Sequence, residues 1–305
     1  MEPRVRVDRA AAEDWIRAHV RPVGPIETAH ERPWSTVWRV PLAHGAAWFK
    51  ACAPVQAFEP RLTAELFARW PDRAPEVLGH DAERSWLLLV DAGTPLSELG
   101  NPPEAWLQVL PHYAALQHGE ARHALEHLAH GVPDQRLAMW PVRLDDLLRH
   151  DLPLEDGEVQ QLRHFAPRFS ALCDELAAHG VPDTIQHDDL HMLNVYRDGP
   201  GLRLRLMDWG DSSIGHPFVT LVVTFRFLEE VNHLTGDDPW FARLRDAYLE
   251  PWGPEHREAF GLAIRLGALA HTFGWIRQRD RLPRAARPAF DTGLQIVLRR
   301  ALENL

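Results

Sequence analysis

Apolar positions in the first part of the chain follow two different rhythms. Asp8 to Val20 repeats at helical spacing, whereas Pro25 to His30, Trp34 to Pro41 and Ala46 to Ala51 are short runs rich in β-branched and aromatic residues, read as antiparallel strands joined by tight turns. Gln56 to Trp70 returns to the helical period, with Phe58, Leu62, Leu66 and Trp70 on one side and Pro71-Asp72 as a stop. Two strands follow, Glu76 to Gly79 and Trp86 to Val90; the second is an unbroken apolar run that predicts a buried strand ending at Asp91-Ala92-Gly93. From Leu96 the texture changes to long helical patterns: Pro103 to His127, Pro133 to His150 and Asp156 to His179. After Asp183 a polar loop leads into a short strand, a turn at Asp198-Gly199-Pro200-Gly201 and a second strand, Leu202 to Met207; helices resume at Pro217 and run to the end. The pattern predicts an α+β chain in two lobes. Residues 1–93 form a small antiparallel sheet with one key helix, and 94–305 a larger, mainly helical lobe carrying one hairpin.

Composition narrows the class. A chain of 305 residues is long enough for two separate cores, and 45% hydrophobic with 25% charged residues is the make-up of an ordinary globular protein. Cys52 and Cys173 fit no zinc or redox spacing and imply no disulfide framework, as in a reducing cytosol. Met1 to Arg21 is charged throughout and lacks the apolar core of a secretion signal, and no later stretch is apolar without interruption over about 18 residues, so a cytoplasmic protein without membrane insertion is expected. A net charge of -10 with scattered arginines argues against a nucleic-acid partner and favours a cationic ligand. Of 33 Lys and Arg residues only one is lysine, Lys50. Either it is the remnant of an arginine-preferring composition, or it stands where a guanidinium does not serve.

The densest cluster of ionisable groups in a loop is His187-Asp188-Asp189-Leu190-His191-Met192-Leu193-Asn194, and beyond the predicted hairpin comes Asp208-Trp209-Gly210-Asp211. An acidic residue, an asparagine shortly after it and an aspartate at the far end of a hairpin are what phosphoryl transfer from a nucleotide requires. One carboxylate orients the acceptor hydroxyl, while an amide oxygen and a second carboxylate hold magnesium against the phosphates. Asn194 and Asp208 offer the hard oxygen ligands that magnesium takes.

His187-x-Asp189-Leu190-x-x-x-Asn194 resembles the catalytic loop of protein kinases, and Asp208-Trp209-Gly210 their metal-binding Asp-Phe-Gly. Leu190-His191 after the aspartate, the tryptophan inside the metal motif and the continuation Asp211-Ser212-Ser213-Ile214-Gly215-His216-Pro217 are similar to the aminoglycoside phosphotransferase and small-molecule kinase family. The resemblance implies a protein-kinase-like bilobal fold, Asp189 as catalytic base, Asn194 and Asp208 as Mg2+ ligands, and His187 as structural support of the loop. Asp188 stands where the family often has glycine. Lys50 becomes the lysine that contacts the nucleotide phosphates and pairs with a helix glutamate. Of the two glutamates on the following helix, Glu59 falls near the middle of the apolar face and Glu65 toward its edge, so Glu59 is the expected partner. Val90-Asp91-Ala92-Gly93 matches the inter-lobe hinge, where main-chain groups at Val90 and Ala92 would bind the purine. The phosphate-covering turn, Glu31 to Ser35, has no glycine; backbone amides around Pro33 to Thr36 are expected to act, with Ser35 as a donor.

The implied activity is transfer of the γ-phosphate of ATP or GTP to a hydroxyl of a small molecule. An aminoglycoside, a macrolide, an amino alcohol and a sugar all suit the pattern as acceptor. Two other readings remain open: a nucleotide-binding pseudokinase, and a metal-dependent hydrolase or oxygenase built on His187, Asp189 and His191. A Walker-type site is excluded because the single lysine precedes alanine, and protein-kinase activity is disfavoured because no Ala-Pro-Glu-like segment follows Asp208-Trp209-Gly210. His271, Phe273 and Trp275 read as core, and Glu229, Glu230, Asp237 and Asp238 as solvated helix ends and a turn.

Overall fold

A computed structural model describes residues 5–198, 203–282 and 284–305. Helix α1 (Arg9–His19) is capped by the Asp8 side chain, which accepts from the Ala11 amide. Strands β1 (Glu27–Glu31), β2 (Ser35–Pro41) and β3 (Ala46–Cys52) precede a 3-10 turn at Pro54–Gln56 and helix α2 (Glu59–Arg69), after which come β4 (Val77–Asp81) and β5 (Trp86–Val90). The five strands pair antiparallel in the order β1-β2-β3-β5-β4. Ile16 of α1 packs with Trp38, Phe49 and Leu88 in one apolar cluster on this sheet.

The chain then runs through β6 (Thr94–Pro95), α3 (Pro103–Glu120), α4 (Ala124–Ala129), β7 (Asp134–Gln135), α5 (Trp140–Leu147) and α6 (Asp156–Ala178). Next come β8 (Thr184–Gln186), the hairpin β9 (Val195–Asp198) and β10 (Arg203–Leu206), β11 (Ser213–Gly215), and helices α7 (Leu221–Asn232), α8 (Pro239–Leu249), α9 (Arg257–Arg281) and α10 (Arg287–Glu303). The second apolar cluster spans these helices and also takes in Phe58, Leu62 and Leu66, so the apolar stripe of α2 faces this larger body. α9 is long and apolar enough to cross a membrane by length and composition, and 61% of its most apolar stretch is buried in the molecule, where it serves as a core helix.

The α+β architecture agrees with the sequence reading; several local details differ. Pro133 to His150 is not one helix: β7 and a 3-10 turn precede α5, because Asp134 and Gln135 pair in parallel with Ile214 and Gly215. Pro103 to His127 breaks into a 3-10 turn at Ala121–His123, which brings the His127 ring back to Glu120. Residues 199–202, which include most of the predicted turn and the start of the predicted second strand, lie outside the described residues. Cys52 and Cys173 are buried and free.

Two positions fix the frame of the site. Gly93 has φ 92°, and a Cβ there would lie 2.4 Å from the Arg197 carbonyl oxygen, so only glycine lets the segment after β5 approach β9. The buried Arg205 of β10 donates to the carbonyls of Ala74 at 2.8 Å and Pro71 at 3.2 Å, and the Leu206 amide donates to the Arg73 carbonyl. The hairpin is thereby tied to the loop that follows α2.

Candidate active site

Lys50 lies in β3 between β2 and β5, opposite Val37 and Leu87. Its ammonium is 2.6 Å from Glu59 Oε2 and 2.7 Å from Asp208 Oδ1. Glu59, at the first turn of α2, is 1% exposed; Glu65 instead faces Arg61 and His130. Burial pulls the Lys50 pKa down, but the charges of Asp208 and Glu59 outweigh it and hold the group well above its ordinary value. Burial raises Glu59, with Lys50 opposing. For Asp208 enclosure also works upward, yet Lys50 overcomes it and the carboxyl stays below its usual range. A Cβ on Gly210 would sit 2.8 Å from Glu59 Oε2, which explains a glycine after Trp209: the turn bearing Asp208 packs directly against the glutamate.

The hairpin brings the second half of the site to the first. Val195 pairs with Leu206 and the Met207 amide donates to the Asn194 carbonyl at 2.8 Å, so Asn194 and Asp208 stand at adjacent ends of the two strands. Asn194 Nδ2 donates to the Asp189 carbonyl at 2.8 Å and to Asp189 Oδ2 at 3.1 Å. With the amide nitrogen so used, Asn194 Oδ1 is the end left for a cation. Asn194 Oδ1 and the half-exposed Asp208 carboxylate form a hard-oxygen pair on one cavity, a donor set that fits magnesium.

The histidines flanking Asp189 are tied to main chain. His187 is fully buried; its Nε2–H donates to the Met207 carbonyl at 2.7 Å, its amide donates to Tyr113 Oη, and its ring lies against Trp209. His191 Nδ1 accepts from the Leu193 amide at 3.1 Å, which leaves the proton on Nε2, 3.2 Å from Asp189 Oδ2. The two imidazoles therefore do not converge on a shared ion. Tyr248 Oη donates to Gln117 Oε1, and Gln117 Nε2 donates to the carbonyls of Ile185 and Pro217, which anchors the strand leading into the loop.

Asp188 has φ 59° and Asp208 φ 61°, left-handed conformations that aspartate tolerates better than most residues. At Asp188 this is the backbone reason glycine is at home there. Its carboxylate accepts from the Ser213 hydroxyl, and burial raises its pKa to about 6.

Asp188, Asp189, His191, Asn194, Asp208 and Ser213 border a cavity of about 380 Å³. Asp188, Asp189, Asn194, Asp208 and Asp211 form one wall, and Trp34, Trp140, Trp275 and Phe290 supply aromatic faces. Asp211 Oδ1 accepts from Gln56 Nε2 at 3.1 Å and Gln278 Nε2 at 2.5 Å; burial and the neighbouring Asp189 and Asp208 charges raise its pKa to about 7. Arg226 also lines the cavity, 4.0 Å from Glu230 on its own helix.

Of the expected site residues, Asp189, Asn194 and Asp208 line the cavity, while Lys50, Glu59, His187, Ser35, Val90 and Ala92 lie outside this lining, Lys50 touching it only through Asp208. Ser35 opens β2 and is 2% exposed, while its neighbour Trp34 does line the cavity. Val90 ends β5 and its amide is used by the Glu76 carbonyl; among the described residues the main-chain N–H and C=O of Ala92 have no hydrogen bond within the chain. His271 and Trp275 are half-buried rather than fully buried like Phe273: Trp275 packs against the larger apolar cluster as the sequence reading expects, and both also line the cavity. Trp275 Nε1 donates to His271 Nε2, and burial lowers His271 to about 4. Glu229 and Glu230 pair with Arg300, and Asp238 caps α8. Gln56, Gln278 and Asp211 have no role in the sequence pattern; Asp211 directly follows Asp208-Trp209-Gly210, but the glutamines carry no local signal.

No protein-family model and no curated protein sequence matches the chain. Solved structures do. Choline kinase LicA from Streptococcus pneumoniae is similar with TM-score 0.66 and 13% identity, over 97% of this chain and 99% of that one. The GDP and kanamycin complex of APH(2")-IIia is similar with TM-score 0.64 and 14% identity, over 97% and 99%. Macrolide 2'-phosphotransferase MphH from Brachybacterium faecium is similar with TM-score 0.62 and 15% identity, over 94% and 97%. The chain has the protein-kinase-like fold that choline kinase and the aminoglycoside and macrolide phosphotransferases share.

Proposed function

We propose that this chain is a small-molecule kinase that transfers the γ-phosphate of ATP or GTP to a hydroxyl group, with residues 1–93 as the nucleotide lobe and 94–305 carrying the catalytic loop and acceptor site. The observation that supports the reading is that the Lys50–Glu59 pair reaches Asp208, and that Asp208 borders one cavity together with Asp189 and Asn194.

Asp189 receives the hydrogen bond of the acceptor hydroxyl and takes its proton as the oxygen attacks the γ-phosphorus and the bond to the β-phosphate oxygen breaks. His191 and Asn194 fix that carboxylate from two sides. Lys50, oriented by Glu59, turns its ammonium from Asp208 to the phosphates, and the main-chain groups of Ala92 hold the purine. Asn194 and Asp208 would hold magnesium, which when bound would neutralise charge at the phosphates. Trp34 and the Ser35 turn cover them.

The acidic and aromatic cavity wall supports a hydroxylated, cationic acceptor, since carboxylates and ring faces both attract cations. Choline kinase and a kanamycin complex among the similar structures agree with that chemistry. Magnesium-dependent nucleotide consumption across a panel of amino alcohols, aminoglycosides, macrolides and sugars tests the proposal. Stimulation by a cationic acceptor, lost in Asp208→Asn, is the expected result; failure to bind either nucleotide sinks it.

A further inference from the structure

Behind the loop that leads into α2 lies a second cavity of about 530 Å³, meeting the active-site cavity only at Gln135, which lines both. Arg143 of α5 and Arg277 and Arg281 of α9 line it, together with His130 and with Asp134, whose carboxylate also feels the Arg143 charge. Some guanidinium groups elsewhere are matched to carboxylates, Arg69 to Glu120, Arg279 to Asp291 and Arg299 to Glu158, and others, such as Arg163 and Arg287, bond only main chain. Among the described residues no carboxylate lies within 4.0 Å of Arg143, Arg277 or Arg281.

Their hydrogen bonds go to main chain, Arg143 Nη2 to the Asp134 carbonyl at 3.2 Å and Arg277 Nη1 to the Val55 carbonyl at 3.5 Å, while the buried Nε atoms of Arg143 and Arg277 have no partner. The nearby carboxylates are already engaged. Asp134 is clamped by Arg136 at 3.0 and 2.8 Å, Asp146 by Arg149 at 2.9 Å, and Asp280 by His150 at 2.9 Å. Asp188 and Asp211 attract Arg277 at longer range, yet burial leaves its pKa lowered.

Three cations gathered in one concavity repel each other, in a protein whose net charge is -10, unless an anion joins them. Unpaired guanidinium donors in a confined space match the oxygens of a phosphate group. From this convergence we infer that the cavity between α5, α9 and the loop before α2 binds a phosphate dianion, free or carried by a small metabolite. Val55 and Phe58 line the same cavity next to Glu59, so a bound anion also braces the start of α2.

Calorimetry with inorganic phosphate, on the full chain without nucleotide and against chloride of matched ionic strength, tests the site. One saturable site is expected, weakened at least about tenfold in Arg143→Met and in Arg281→Met and unchanged in Lys50→Ala. Arg281 is exposed, so Arg281→Met carries the test even if Arg143→Met disturbs the fold, which near-ultraviolet circular dichroism monitors. Glycerol phosphate binding more tightly than inorganic phosphate identifies a phosphorylated metabolite as the source, and equal affinity identifies the free ion. Absence of saturable binding overturns the inference. So does binding that survives both arginine substitutions and disappears in Lys50→Ala, because the ion then occupies the nucleotide-phosphate position.

Discussion

Lys50 joins β3, α2 and the turn after the hairpin through one ammonium, and its two carboxylate partners explain why the chain keeps a lysine among arginines. A planar guanidinium is broader, and here the room is bounded by Gly210 against Glu59. Lys50→Arg is therefore expected to lower turnover about as much as Lys50→Ala, by two orders of magnitude or more, in steady-state assays. Lys50→Met also leaves Glu59 buried without its partner and is expected to cost about 3–5 kcal/mol in urea unfolding. Asp211 gives a pH signature. Its folded pKa is raised to about 7 from 3.8, so the folded state holds the proton more tightly, and stability is lost as pH rises from about 4 to about 7. Asp211→Asn removes that loss: its melting temperature relative to the parent is expected to climb between pH 4 and pH 8. An unchanged difference would show that Asp211 is ionised in the folded protein throughout.

How much of the site was legible followed from how local each signal is. Asp189, Asn194 and Asp208 stand in a short stretch with a motif, and Glu59 could be chosen over Glu65 because periodicity alone aims it into the apolar face of α2. Gln56 and Gln278 reach Asp211 only after α9 packs against the loop before α2, and nothing near either residue records that. The same long-range placement brings the half-buried His271 and Trp275 to the cavity lining.

At the scale of elements, strands two or three residues long escaped the sequence because so short a run has no period; β6, β7, β8 and β11 owe their geometry to partners far along the chain. The longer strands and α1, α2 and α6 were readable to within a few residues. One inter-element contact carries a stability prediction. Glu120 of α3, 1% exposed, accepts from both Arg69 nitrogens at 2.8 Å and from Trp70 Nε1 at 2.7 Å, and lies 2.8 Å from His127 Nε2, which locks α2 to α3 and α4. Burial pushes its pKa up, but His127, Arg69 and Trp70 bring it down to about 2. A depressed carboxyl stabilises the fold fully above its unfolded value of 4.5 and loses that contribution as pH falls through about 2. Glu120→Gln is expected to cost about 2–4 kcal/mol at pH 7 in chemical unfolding, with the gap to the parent closing as pH drops from about 4.5 toward 2. A pH-independent gap would mean that packing, not charge, is the link. After β5, Gly93→Ala is expected to reduce nucleotide affinity together with stability, read by calorimetry and melting temperature, because the Arg197 carbonyl must move.

For the molecule as a whole, α2 is the element that joins the sheet to the helical body. Its polar first turn reaches Lys50 in the sheet, its apolar stripe lies in the larger cluster, and its last turn is held by Glu120. A sheet-borne lysine, a helix-borne glutamate and a hairpin-borne aspartate are thus fixed relative to one another before any ligand arrives, which is the preorganisation that phosphoryl transfer exploits. The most direct measurement is calorimetric titration of ATP and of GTP, with and without magnesium, into the parent protein, Asp208→Asn and Lys50→Ala. The proposed kinase activity requires magnesium-dependent binding of at least one nucleotide, weakened about tenfold or more in both variants while their circular dichroism is retained. Binding that ignores magnesium and survives both substitutions, or no binding of either nucleotide, would contradict it.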